Sequence, residues 1–203
     1  MSHYPALLQS YPLISDQVSQ EQLAVILREL ETLLERQTEG AIVEFGCYIG
    51  TTSLFIRRLL NMYQDNREFH VYDSFEGLPP KTTQDESRAG DQFQAGELAV
   101  SKKDFLQQFR KANLRPPVVH KGWFKDLVTA DVPAPISFAF LDGDFYESIR
   151  DSLKLVLHRT ERGGVIVIDD YAREALPGAA KAVHELLPGK EIQVSHNLGI
   201  IRI

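Results

Sequence analysis

The sequence predicts an α/β fold: a mostly parallel sheet with helices on both faces and an antiparallel strand at the C-terminal end. Three observations carry this. Short apolar runs alternate with segments of helical periodicity over most of the 203 residues, the pattern that builds a parallel sheet by right-handed crossovers. Each of the long apolar runs ends in glycine or an acid, as at Phe45-Gly46, Tyr72-Asp73, Leu141-Asp142 and Ile168-Asp169. The last two apolar segments are separated by Asn197, which fits a tight antiparallel return.

The elements follow in order. Residues 1–38 form an N-terminal helical segment, because Leu23, Ile26, Leu27, Leu30, Leu33 and Leu34 recur at helical spacing between Ser19 and Arg36. "AIVEF" (Ala41 to Phe45) is a buried strand. "GCYIGTT" turns into the helix "SLFIRRLLNMY", and "EFHVYD" is a second strand ending at Asp73. The polar stretch 74–100, with its Gly and Pro residues, is expected to be a lid loop, since connections this long in a compact domain tend to be lids or binding loops. "KKDFLQQFRKANL" is a helix and "PPVVHKGWF" a strand running into a turn. Then come "ISFAFLD" (strand), "YESIRDSLKLVLHRT" (helix), "GGVIVIDD" (strand) and "GAAKAVHELL" (helix). "KEIQVSH" and "LGIIRI" complete seven strands in one domain spanning residues 1–203.

Composition bounds the function. Hydrophobic residues make up 43% and charged residues 25%, as in globular proteins. No apolar run approaches the roughly twenty residues of a membrane span, and the N-terminus lacks the pattern of a secretory signal. The one cysteine, Cys47, excludes a disulfide framework, so a cytoplasmic location is expected. With a net charge of −6 and no dense basic run, neither nucleic acid nor a membrane is an expected partner. The oligomeric state is left open, a homo-oligomer included.

In parallel sheets ligands sit beyond the carboxyl ends of the strands. Gly46 onward, Asp73, Lys121 to Phe124, Asp142 to Asp144 and Asp169 to Tyr171 should therefore converge. Gly46 and Gly50 permit a tight turn, and Thr51, Thr52 and Ser53 offer hydroxyls and helix N-terminal amides. The spacing G-x-x-x-G departs from the dinucleotide fingerprint G-x-G-x-x-G and weakens a nicotinamide reading. Asp73 is placed to accept ribose hydroxyls, so a nucleoside is the expected ligand; a plain strand-to-helix turn is the structural alternative. Asp142 and Asp169 lie 27 residues apart on strands joined by one helix. If neighbours, these strands bring the two carboxylates close enough to share a cation, with Asp170 as a third oxygen donor. All-oxygen donors suit Mg²⁺ better than zinc. The competing reading makes these acids helix caps, Asp144 capping "YESIRDSL".

"VEFGCYIGTTS", "VYDSFEGLPP", "KGWF", "LDGDFYESIRDSL" and "GGVIVIDDY" together resemble the macrocin O-methyltransferase family of the TylF/MycF type, over about residues 41–186. The resemblance implies a Rossmann-like class I methyltransferase fold, S-adenosylmethionine, Mg²⁺, and methylation of a hydroxyl on a sugar or glycosylated natural product. It implies metal ligation by Asp142, Asp169 and Asp170, with Asp144 as general base. The cofactor side would comprise Glu44, Gly46, Tyr48, Gly50, Thr51, Thr52 and Ser53, with Asp73 and Ser74 at the ribose. Gly122, Trp123 and Phe124 would lie by the adenine, and Asp142 would face both metal and cofactor. Antibiotic-tailoring members carry more N-terminal helix than the forty or so residues before the first strand here, so the acceptor pocket is expected to be different or more open. A catechol- or phenol-type O-methyltransferase and a non-catalytic cofactor-binding module are the rival readings. Cys47 is expected to pack inertly, His120 to stand behind the cofactor, and Arg57 and Arg58 to be solvated.

Overall fold

Ala41 to Phe45 is buried along its whole length because it receives a strand on each side, and Val and Ile suit such a doubly covered strand. The computed structural model, which describes residues 2–89 and 93–203, builds outward from it. The strands are β1 (Ala41–Phe45), β2 (Phe69–Asp73), β3 (Val118–Lys121), β4 (Ile136–Leu141), β5 (Thr160–Ile168), β6 (Gln193–Ser195) and β7 (Leu198–Arg202). The helices are α1 (Tyr4–Ser10), α2 (Gln20–Glu35), α3 (Thr51–Met62), α4 (Lys102–Lys111), α5 (Tyr146–Leu157) and α6 (Pro177–Leu186). Among the described residues no helix is long and apolar enough to cross a membrane.

The sheet order is β3-β2-β1-β4-β5-β7-β6. The first five strands run parallel, and β7 runs antiparallel to β5 and to β6. Chain order reverses between β1 and β4, so this crevice is the switch point where a ligand is accommodated in such sheets. Alternation along the strands supplies two cores. Ile42, Phe138 and Phe140 meet Leu27 and Leu30 of α2, Phe55 of α3 and Phe105 of α4 on one face. Val43, Phe45, Ala139 and Leu141 meet Ile149 and Leu153 of α5 and Ala182 of α6 on the other.

The N-terminal region is helical as expected, but as two helices with a break at residues 11–19. Sequence periodicity saw only α2, because α1 is short and carries Pro5 in its first turn, where proline is tolerated. β5 begins at Thr160, not at Gly163, and β6 covers only three residues of "KEIQVSH". Arg57 is a correction. It is 5% exposed, lies 5.5 Å from the Phe69 ring centroid, and its Nε finds no partner among the described residues. Arg58 stacks over Tyr11 at 3.8 Å. Two arginines on a helix read as surface charge, yet long stems let them lie along apolar surface.

The stretch after β2 packs down rather than standing away. Leu78 joins Phe145 and Leu176 in a small third core. Asp85, 1% exposed, ends a 3₁₀ turn (Thr83–Asp85). Its Oδ1 accepts from the backbone N–H of Tyr146 at 2.7 Å, and its Oδ2 accepts from Thr82 N–H and Oγ1, both at 2.8 Å. A residue of the loop thus caps α5. Residues 90–92 of the expected lid lie outside the described residues.

Candidate active site

At the reversal of chain order the ends of β1 and β4 nearly touch. Asp142 N–H donates to Phe45 O at 2.8 Å, and Gly46 N–H donates to Tyr72 O at 2.9 Å. Gly46 has φ +86°, and a Cβ there would stand 1.9 Å from the Asp142 carbonyl oxygen. Only glycine fits. The turn then closes through Gly50 N–H to Cys47 O at 2.7 Å, and Gly50, with φ +97°, starts α3.

Asp73 holds this turn from the end of β2. Its Oδ2 accepts from Cys47 N–H at 2.8 Å and Tyr48 N–H at 3.3 Å, and its Oδ1 accepts from Phe75 N–H at 2.7 Å. Beneath the turn, Ser53 Oγ donates to Glu44 Oε2 at 2.5 Å. Burial pushes the Glu44 carboxyl up to about 8, against the Ser53 hydrogen bond and with help from the Asp73 charge. Burial also drives the Cys47 thiol well above its ordinary value, with Asp73 and Glu44 adding to it, so this thiol is a packing group.

A pocket of about 750 Å³, counted to its open mouth, occupies the crevice, within the range of small-ligand sites. Of the cofactor-side residues singled out in the sequence, Gly46, Tyr48, Asp73, Ser74, Trp123, Phe124 and Asp142 line it. Glu44, Gly50, Thr51, Thr52, Ser53 and Gly122 do not. Glu44, Thr51, Thr52 and Ser53 are buried under the turn, with Thr51 Oγ1 2.7 Å from Ser15 Oγ. His120 does not line the pocket either. Its Nε2 lies 3.0 Å from His70 Nδ1, and its ring stacks on Tyr72 at 4.4 Å, which itself stacks on Phe45 at 4.4 Å. Burial, then His70, lowers its basicity.

All four aspartates line the pocket: Asp142, Asp144, Asp169 and Asp170. β4 and β5 are hydrogen-bonded neighbours, and Asp169 N–H donates to Leu141 O at 2.8 Å. Burial raises every one of these carboxyls. Asp169 adds to the rise at Asp142, Asp170 adds to that at Asp144, and Asp169 is pushed up to about 7. At Asp170 the rise is opposed by Arg173, whose Nη1 lies 3.1 Å from Oδ1. Asp169 Oδ1 accepts from Gln22 Nε2 at 3.0 Å. Among the described residues no three His, Cys, Asp or Glu side chains stand ready as a metal cage. Asp144 does not cap α5: Phe145 occupies the cap position, and the Tyr146 amide goes to Asp85. Asp144 and Asp170, with φ +58° and +52°, and Tyr48, with φ +47°, hold left-handed backbone, uncommon for residues with a Cβ.

The sequence reading missed Gln17, Leu98 and Arg173 in the pocket wall and Gln22 behind it. A signal for Gln22 existed: Ser19 and Gln22 form a capping box, the S-x-x-Q start of a helix. The T-x-x-D pattern of Thr82 and Asp85 is the corresponding signal in the loop. Nothing local pointed to Arg173.

Residues 11–198 match the family described as Macrocin-O-methyltransferase (TylF). The 8-demethyl-8-(2,3-dimethoxy-alpha-L-rhamnosyl)-tetracenomycin-C 4'-O-methyltransferase of Streptomyces olivaceus is 35% identical over 164 residues, 77% of this chain and 61% of that protein. The demethyldecarbamoylnovobiocin O-methyltransferase of Streptomyces niveus is 30% identical over 150 residues, 70% of this chain and 56% of that one. The chain thus spans about three fifths of these relatives' length. The solved O-methyltransferase NovP superposes with a TM-score of 0.77 at 24% identity, over 91% of this chain and 80% of the other, a likeness of fold.

Proposed function

The chain belongs to the TylF macrocin-O-methyltransferase family, and from that premise we propose that it transfers a methyl group from S-adenosylmethionine to a hydroxyl of a small glycosylated molecule, with Mg²⁺. The observation that carries this is the meeting of the glycine turn with four aspartates at the switch point between β1 and β4.

By donor type the four carboxyls suit a hard divalent cation, although among the described residues no three of them stand grouped as a cage. The set is all oxygen, its carboxyls are destabilised by burial and by one another, and Arg173 is the one cation paired with the four among the described residues. Asp142, Asp169 and Asp170 would hold the ion, Asp170 first turning from Arg173. When bound, Mg²⁺ supplies positive charge that offsets the carboxylates and makes a nearby hydroxyl more acidic. When bound, S-adenosylmethionine supplies an electrophilic methyl group.

This chain's own residues do the rest. Gly46 and Tyr48 bring backbone close to the methionine portion. Trp123 and Phe124 offer flat apolar walls to the adenine. Asp144 takes the acceptor's proton at its carboxylate. The described parts of the segment after β2, residues 74–89 and 93–100, would exclude water as a cover over the pocket, held down at Asp85. A pocket that presents the hydroxyl and the methyl group in line supplies much of the barrier reduction.

Asp73 gives the first test. Its carboxylate already accepts three backbone N–H groups, and about four acceptor sites are available on such a group. Asp73→Ala therefore removes a ribose acceptor and loosens the turn together. Calorimetry is expected to show S-adenosylhomocysteine binding weakened at least about tenfold, the loss of one charged hydrogen bond at about 1.5–3 kcal/mol. Unchanged affinity removes Asp73 from the cofactor site. For the activity itself, Mg²⁺-dependent methyl transfer to a panel of glycosylated acceptors is the measurement. Cofactor binding without transfer to any hydroxyl, metal present, sinks the catalytic reading.

A further inference from the structure

The stretch from Ser15 to Gln22, which joins the α1–α2 connection to the first turn of α2, is tied at both ends. At one end Ser15 Oγ lies 2.7 Å from Thr51 Oγ1, in the first turn of α3. At the other, Gln22 Nε2 donates to Asp169 Oδ1 at 3.0 Å, across 147 residues of sequence. Gln17, between them, lines the pocket.

Gln22 does two things with one amide. Its Oε1 accepts from Ser19 N–H at 3.0 Å, which closes the capping box of α2, while Gln22 N–H donates to Ser19 Oγ at 3.1 Å. With the oxygen engaged by Ser19, the NH₂ end must face Asp169, so the cap itself selects which end of the amide the carboxylate meets. The donor is neutral. It engages one oxygen of Asp169 without placing a positive charge where the cation has to sit. Arg173 beside Asp170 differs in just this respect, since it adds a charge that an incoming ion has to displace.

We propose that Gln22 is a positioning residue for Asp169, coupling the start of α2 to the carboxylate cluster. The inference rests on the reading of Asp169 as a cation ligand. A ligand oriented before the ion arrives loses less freedom on binding, and outer partners of metal ligands typically change affinity by about 10- to 100-fold.

The test is Mg²⁺ titration of the full chain by calorimetry, with Mn²⁺ paramagnetic resonance as a second readout, on Gln22→Met and Ser19→Ala. Methionine keeps length and helix propensity and loses the amide. The serine variant loses the cap hydroxyl but keeps the backbone N–H that orients Gln22. Gln22→Met is expected to weaken Mg²⁺ binding at least about fivefold and to alter the Mn²⁺ signal. Ser19→Ala is expected to lower the melting temperature and leave metal affinity at the wild-type value. Wild-type affinity in Gln22→Met overturns the proposal. So does equal weakening in both variants, which would make the effect one of helix stability. If the wild-type chain itself takes up no Mg²⁺, the metal reading of the site fails and the positioning role falls with it, an outcome separate from an unaltered variant.

Discussion

Asp169→Asn is expected to abolish Mg²⁺ uptake and to lower methyl transfer at least about a hundredfold, near 2.7 kcal/mol of transition-state stabilisation, while S-adenosylhomocysteine still binds. The glycine turn and Asp73 lie on the other side of the crevice, on β1 and β2, and do not depend on the Asp169 charge. The same substitution should stabilise the metal-free protein, and the sign can be worked out. Burial, then Asp170, pushes the Asp169 carboxyl from an ordinary 3.8 up to about 7 in the folded chain. Between these values the folded state holds a proton that the unfolded state releases. Stability from this group is therefore lost as pH rises through that window, and the loss is complete above about 7. Asparagine carries no such penalty. In the absence of metal the variant should melt above the wild type at pH 8, with the gap narrowing toward pH 5. Mg²⁺ should raise the wild-type melting temperature at pH 8 and leave the variant unmoved. Asp144→Asn separates the base from the ligands: it should keep both the metal and the cofactor and lose turnover, mostly in kcat. If it loses Mg²⁺ as fully as Asp169→Asn, Asp144 is a ligand and the proton goes elsewhere.

Gly46→Ala should be the most damaging change of a single methyl group. The new Cβ would fall 1.9 Å from the Asp142 carbonyl oxygen, which is backbone and cannot swing aside, and the residue sits at φ +86°. The ends of β1 and β4 would have to part, at a cost of roughly 3–5 kcal/mol. That corresponds to a melting temperature lower by about 10 °C or more for a chain of this size. Cofactor binding should go with it, because the turn and Asp142 move together. Gly163→Ala is the control: its φ is also +86°, yet nothing lies within 4 Å of the added atom. If the two variants melt alike, backbone strain alone accounts for Gly46 and the close approach is irrelevant.

The parallel core was legible because its strands are continuous apolar runs and its helices keep their period. Acids and glycines at strand ends are local signals too, and Asp73, Asp142, Asp144, Asp169 and Asp170 all line the pocket that they suggested. What stayed hidden depends on distant partners. Asp85 meets Tyr146 across 61 residues, and Gln22 meets Asp169 across 147. Each has a visible reason to be where it is, as the last member of a capping box, and that reason masks the second bond. Arg57 shows the opposite failure. Charge suggested solvent, but the side chain is buried with its guanidinium over the Phe69 ring. The left-handed backbone at Tyr48, Asp144 and Asp170 was equally hidden, since the residues that adopt it are not themselves glycines.

Trp123 is the chain's single tryptophan, and it stands half-buried in the pocket wall. All indole emission of this molecule therefore originates at one point, beside the place proposed for the adenine. A purine stacked on that ring would quench it and shift its colour, with no background from a second indole. Pocket occupancy can thus be followed in the unlabelled, wild-type chain, on the timescale of a stopped-flow mixing experiment.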